Sequence, residues 1–244
     1  MLVALFRNRR DAGRRLAVAL APYRESRPIV LALPRGGVPV GFEVAKALAA
    51  PLDVLLVRKI GAPGHEELGL GAVVDGHDPQ LVLNEDLVRA VAPPPGYIEA
   101  EEQRQLAEIE RQRQEYVGNR TPVAVEGRTV IVVDDGIATG ATVKAALRGL
   151  ARNRPARLVL AVPVAPADSL EELSAECDEL VCLAAPDPFY AVGPHYADFR
   201  QTEDAEVVRL LAEARQWSTR GTEHASARMI RRIVLAAWTE VTGR

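Results

Sequence analysis

A chain of 244 residues, 48% hydrophobic and 26% charged, is long enough for one domain with a large core and too apolar to stay disordered. A formal net charge of −3 argues against bulk nucleic-acid binding, and no apolar run approaches the ~20 residues that span a bilayer. The two cysteines, Cys177 and Cys182, cannot make a metal set by themselves and fit free thiols in a reducing compartment, so the expectation is a soluble cytoplasmic protein that binds neither nucleic acid nor membrane.

A first helix is expected near Asp11 to Ala21, with Arg7, Arg9, Arg10, Arg14 and Arg15 as solvated helix and turn surface. The apolar strand Ile29 to Leu33 then runs into Pro34-Arg35-Gly36-Gly37, and a helix follows with Val40, Val44, Ala45 and Leu48 as its apolar positions. Paired glycines let a backbone approach an anion closely, and Arg35 supplies a planar, permanently charged fork for phosphate oxygens. The next apolar run, Val54 to Val57, leads to Arg58 and Lys59. They stand where the strand should end and a Gly/Pro-rich stretch (Gly61, Pro63, Gly64) suits a mobile loop carrying His65, Glu66 and Glu67.

Leu70 to Val74 and Gln80 to Leu83, split by Asp75-Gly76, read as a hairpin-like pair. Pro93-Pro94-Pro95-Gly96 breaks the chain. Tyr97 to Val117 is a charged helix with Glu99, Glu101 and Glu102 in its first turns and Arg104, Arg111 and Arg113 later, the order the helix dipole favours. Only Ile98, Leu106, Ile109 and Tyr116 would face a core, which suits a solvated edge helix or a dimer contact.

Ile131 to Thr142, IVVDDGIATGAT, carries the most information. Its dense valines and isoleucines read as a buried parallel strand, and Gly136 to Gly140 as the turn into a helix beginning near Thr142 and running to about Arg152. Unpaired amides at a helix start make an anion site, to which two threonine hydroxyls add donors. The acids before it, Asp134 and Asp135, should face a hydroxyl-rich group or a divalent cation, and a ribose 5-phosphate satisfies both halves. An ordinary turn in which the acid pair caps the helix is the alternative. A strand Arg157 to Val162, a helix Ser169 to Cys177 and a strand Glu179 to Leu183 complete an α/β alternation, which means a parallel sheet with helices on both faces and carries no Walker A or dinucleotide glycine pattern.

The Ile131–Thr142 segment resembles the phosphoribosyl pyrophosphate (PRPP) motif of type I phosphoribosyltransferases. Val30 to Gly41 resembles the pyrophosphate loop of that family, especially the S-R-G-G form of xanthine-guanine members, and Val57 to Gly64 resembles the R-K-x-x-x-x-P-G stretch of adenine members. The resemblance implies a doubly wound, mostly parallel sheet over residues 1–217, a small hood at about 186–200 and a helical tail at 218–244, amphipathic through Met229, Ile230, Ile233, Val234, Ala237, Trp238 and Val241.

It further implies that Asp134 and Asp135 hold the ribose hydroxyls and a Mg²⁺ ion, and that Ala138, Thr139, Gly140, Ala141 and Thr142 cradle the 5-phosphate. Arg35, Gly36 and Gly37, with Arg58 and Lys59, would face pyrophosphate. Hypoxanthine-guanine members place an aspartate where this chain has Ala138, so an acid or base must come from elsewhere, with Glu67, Glu66 or His65 as candidates. Tyr190 and Tyr196, within the aromatic stretch Asp187 to Phe199, are the expected base-binding residues.

The implied activity is transfer of the phosphoribosyl group to a nitrogenous base, purine-like favoured, by a homodimer in nucleotide salvage. A PRPP- or nucleotide-sensing regulator without transferase activity, or hydrolysis or phosphorolysis of a related ribosyl compound, would use the same loops.

Overall fold

The computed structural model describes residues 4–217, which form two sheets. The larger has five parallel strands: β1 (Ile29–Ala32), β2 (Leu52–Val54), β6 (Thr129–Val133), β7 (Arg157–Val164) and β8 (Glu179–Ala184), in the order β2-β1-β6-β7-β8. Every residue of β1 and β6 is buried, which is why both read as unbroken apolar runs rather than alternating ones.

One face of the sheet is covered by α1 (Arg9–Ala19), α2 (Gly37–Leu48), α4 (Tyr97–Val117) and α7 (204–217), the other by α5 (Ala141–Arg152) and α6 (Ala167–Ser174). From β1 the chain winds through α2 to β2. From β6 it winds the opposite way through α5 to β7. The β1/β6 boundary is therefore the topological switch point, where an open α/β sheet leaves a crevice beyond its carboxyl strand ends. Both loops singled out by sequence end there, and Leu33 N–H donates to Val133 O at 2.9 Å across the boundary.

The second sheet corrects the sequence reading. Val57 to Gly64 is not a mobile loop: β3 (Val57–Ala62) and β4 (His65–Val74) make an antiparallel hairpin, extended by β5 (Gln80–Leu83), with Arg58 opposite Val73 and Lys59 opposite Ala72. The glycines serve packing here. A Cβ on Gly61 would stand 2.7 Å from the Glu66 backbone, and one on Gly71 would stand 2.3 Å from Val82 O. Gly64, at φ +73°, makes the hairpin turn. A helix that the composition did not announce, α3 (Glu85–Val91), follows with Asn84 capping Leu87 N–H at 3.2 Å.

Helix α4 is also more than a solvated edge. It buries Ile109, Arg113, Tyr116 and Val117, whereas Ile98 and Leu106 are only half-buried. Arg113, 4% exposed, donates to Asp53 of β2 at 2.8 Å and to Asp75, just past β4, at 2.7 Å. Arg120 donates to Asp53 at 2.6 Å. This ion cluster links the two sheets through α4. The remaining elements lie within a few residues of expectation, and the tail expected at 218–244 lies outside the described residues.

Candidate active site

At the switch point the two loops touch. A Cβ on Gly36 would stand 2.1 Å from Asp135 Oδ2, and one on Gly37 would stand 2.7 Å from Val133 O. No side chain fits at either position, so glycine is what allows the Arg35 loop to lie against the acid pair. The Pro34–Arg35 peptide is cis. Asp134 Oδ1 accepts from Asp135 N–H at 2.8 Å. Burial pushes the Asp134 carboxyl well above its ordinary range, and the Asp135 charge adds to the shift. Burial also raises Asp135, partly offset by Arg9. Both carboxyls keep acceptor capacity beyond these contacts, as a cation or hydroxyl site needs.

Arg9 corrects the reading of the early arginines as solvated surface. Its side chain is 12% exposed, and its Nε donates to Asp135 Oδ2 at 2.6 Å. Its guanidinium lies 3.9 Å above the Phe199 ring and donates to Arg200 O at 2.7 Å. An open cleft of about 540 Å³ lies beside Arg9, lined by side chains of both signs, including Arg10, Arg200 and Glu203.

Beyond the acids, Gly136 adopts φ +158°, and a Cβ there would stand 2.6 Å from Val192. Gly140, at φ +74°, begins α5 without any side-chain cap. Lys144 N–H donates back to Gly140 O at 2.8 Å, and the amides before it are the orphan donors of a helix start. Ala138, Thr139, Ala141 and Thr142 are exposed around this turn, and Ser169 Oγ steadies it by donating to Ala138 O at 3.1 Å. The geometry is an open anion cradle beside an acid pair.

The expected cationic residues divide between two cavities, each of about 340 Å³, that share Val57 and Thr142. One is lined by Pro34, Arg58, Gln112 and Asp134. The other, between the ribbon and α5, is lined by Lys59, Glu67, Ala141 and Lys144. Adjacent residues of a strand face opposite sides, so Arg58 and Lys59 enter different cavities. His65 and Glu66 are exposed at the start of β4.

Arg58 donates to Glu108 at 3.1 Å and to Gln112 at 2.9 Å, and Arg35 pairs with Asp204 of α7 at 3.4 Å. Asp204 also accepts from Tyr116 Oη at 2.5 Å. Sequence reasoning missed Arg9, Gln112 and Asp204, and assigned Tyr116 only to the core. The i, i+4 spacing of Glu108, Gln112 and Tyr116, which stripes one helix face, was the available signal.

The segment expected as the hood packs against the N-terminal residues: Leu5 and Phe6 N–H both donate to His195 O, and Phe6 bridges to Tyr196. Tyr196, 5% exposed, stacks on Phe199 at a centroid distance of 5.0 Å and packs at a tilt against Phe6 at 5.4 Å, and its hydroxyl donates to Asp135 O at 2.5 Å. Tyr190 is 78% exposed. The two tyrosines do not form a common aromatic clamp, because Tyr196 is buried among neighbouring rings while Tyr190 is exposed.

A doubly wound sheet with an acid pair and two glycine loops at its switch point defines a class, and the sequence comparisons name it. Residues 5–198 match the phosphoribosyl transferase domain, and the chain belongs to the type I phosphoribosyltransferase family. Two curated Mycobacterium tuberculosis proteins, from strains H37Rv and CDC 1551, are named as candidate phosphoribosyl transferases. Each is 46% identical over 224 residues, covering 91% of this chain and 50% of the relative. The chain thus spans about half the length of the curated relatives it matches. The crystal structure of TT1426 from Thermus thermophilus is 46% identical, with a TM-score of 0.75 over 85% of this chain and 98% of that one.

Proposed function

We propose that the protein binds PRPP with Mg²⁺ and transfers its 5-phosphoribosyl group to a nitrogenous base, purine-like favoured, releasing pyrophosphate. The observation that carries this reading is the contact of the Arg35-Gly36-Gly37 loop with Asp135 at the switch point, which sets that loop against the acid pair, next to an open helix start. Asp134 and Asp135 accept from the ribose hydroxyls. The amides and hydroxyls of residues 138–142 hold the 5-phosphate. Arg35, Arg58 and Lys59 oppose the charge that grows on pyrophosphate as the anomeric bond opens towards an oxocarbenium-like state.

Among the described residues no cluster of three or more His, Cys, Asp or Glu suits a metal. Two carboxylates are enough for Mg²⁺ carried mainly by substrate oxygens, which is its usual manner of binding beside phosphates. Asp134 and Asp135 would hold Mg²⁺, which would supply positive charge against the departing pyrophosphate. Ala138 offers no acid or base. Glu67 is the carboxylate nearest in role, sharing the ribbon cavity with Lys59, and Tyr190 is the hood aromatic left free to stack on a base. The same reading places residues 1–217 in the transferase domain, and the protein in the cytoplasm as a homodimer.

A regulatory reading rests on a different observation: Arg35 and Arg58 already hold carboxylates, so PRPP could be sensed by partner exchange alone. Incubation with PRPP, Mg²⁺ and a panel of purines, pyrimidines and related heterocycles separates the two. Pyrophosphate release that depends on one of the bases supports the transferase. PRPP binding without release from any of them supports the sensor.

A further inference from the structure

The arginines assigned to pyrophosphate come from different elements, Arg58 from β3 and Arg35 from the glycine loop, and a directional hydrogen-bond chain joins them. Arg58 donates to Gln112 Oε1 at 2.9 Å, Gln112 Nε2 donates to Tyr116 Oη at 3.1 Å, and Tyr116 Oη donates to Asp204 Oδ1 at 2.5 Å. At the far end Arg35 donates to the other oxygen, Asp204 Oδ2, at 3.4 Å. The chain spans β3, α4 and α7 and closes on the pyrophosphate loop. Its two ends differ in quality. Tyr116 is 2% exposed and close to its acceptor. The Arg35–Asp204 pair is about 40% exposed on both sides and long for a charge-assisted hydrogen bond, which is ordinarily ~2.7–2.9 Å.

One carboxylate therefore serves two donors, one on each oxygen, and its position is set by the shorter bond. We infer that Tyr116 is a positioning residue that sets the anion affinity of Arg35 by holding Asp204 back from it. With the phenol in place, Asp204 spends its best lone pair on Tyr116, and Arg35 keeps donors free for a phosphate oxygen. Without the phenol, Asp204 is free to close on Arg35 and neutralise it. Burial and the Asp204 bond push the Tyr116 hydroxyl up to about 12, so it remains a donor throughout the neutral range. Gln112, which must accept from Arg58 to donate to Tyr116, fixes the direction of the phenol proton.

This inference rests on the assignment of Arg35 to pyrophosphate made above, and its signature is a pair of opposite signs. In the full chain, inorganic pyrophosphate and ribose 5-phosphate are titrated separately by calorimetry with Mg²⁺ present. Tyr116→Phe, which removes only the hydroxyl, should weaken pyrophosphate about tenfold, the scale of a hydrogen bond to a charged group. Asp204→Asn should strengthen it by about the same factor, and the double variant should follow Asp204→Asn, because the phenol acts only through the carboxylate. Ribose 5-phosphate affinity should stay within about twofold in all three, which general loss of folding would not allow.

Pyrophosphate affinity unmoved in Tyr116→Phe, or lowered in Asp204→Asn, overturns the inference alone. Failure of the wild-type protein to bind pyrophosphate overturns it together with the assignment of Arg35. The expected pattern of affinities without transfer to any acceptor leaves the inference standing and sinks the transferase reading.

Discussion

Asp134 and Asp135 stand at the end of a strand whose every residue is buried, pressed by the backbone of a glycine loop. Arg35, beside the glycine pair, and Arg58, which lines the cavity that holds Asp134, instead carry long side chains, a third or more exposed, held by Asp204 and Glu108. The sugar side of the site is thus fixed by covalent geometry and core packing, and the leaving-group side by ion pairs that exchange. Exposed pairs of this kind contribute only about 0–1 kcal/mol each, so an incoming polyanion displaces them at little cost. Moving the acids would require moving a sheet.

The sharpest challenge to this contrast lies where α4 joins the two sheets. Arg113→Met leaves Asp75 buried without its cationic partner and Asp53 with Arg120 alone, and should lower stability by about 3–5 kcal/mol in urea unfolding. Arg58→Met, on the neighbouring ribbon strand, should cost under about 1 kcal/mol. Equal losses would erase the distinction between structural and exchangeable arginines.

Next in size is Gly36→Ala, whose methyl would stand 2.1 Å from Asp135 Oδ2. The loop and the acid must part, and PRPP affinity should fall about 100-fold, equivalent to ~2.7 kcal/mol. A loss under about threefold would show that the acid pair is not held by this contact.

Smaller effects belong to the hood. Tyr196→Phe removes the donor to Asp135 O and should cost ~1 kcal/mol in stability. Tyr190→Ala, at an exposed site, should change stability by less than about 0.5 kcal/mol. If Tyr190 stacks on the base, the same variant weakens the base while leaving PRPP affinity unchanged.

The sequence disclosed the parallel sheet and its two loops because their signals are local. A strand buried on both faces must be apolar throughout, and a loop pressed against another must be glycine. The ribbon was misread because its period is broken: the β3–β4 register shifts at Ile60/Gly61 and again at Gly61/Ala62, so Val57, Ile60 and Ala62 do not alternate, and its glycines imitate a loop.

Arg9 and Arg113 gave no local sign of burial, since the partner of Arg9 lies 126 positions away and those of Arg113 lie 38 and 60 away. Tyr196 was recognisable as an aromatic of the hood. Nothing in 187–199 by itself indicates that Phe6, from near the N-terminus, would pack against it.

The central claim is that the backbone-fixed acid pair is the ribose site and needs a cation to accept a polyanion beside it. Calorimetric titration of PRPP with Mg²⁺ and with chelator, into the wild-type protein and the Asp134→Asn, Asp135→Asn double variant, tests it most directly. The wild-type protein should bind PRPP tightly only with Mg²⁺, because in chelator two carboxylates would face an uncompensated polyanion. The double variant should lose that Mg²⁺-dependent binding while remaining folded: burial already disfavours both charges, although Asp135→Asn also removes the carboxylate that pairs with Arg9. Equal PRPP affinity in chelator and in Mg²⁺, or tight residual binding by a double variant that melts early, would contradict the claim and return the acids to the role of a helix cap.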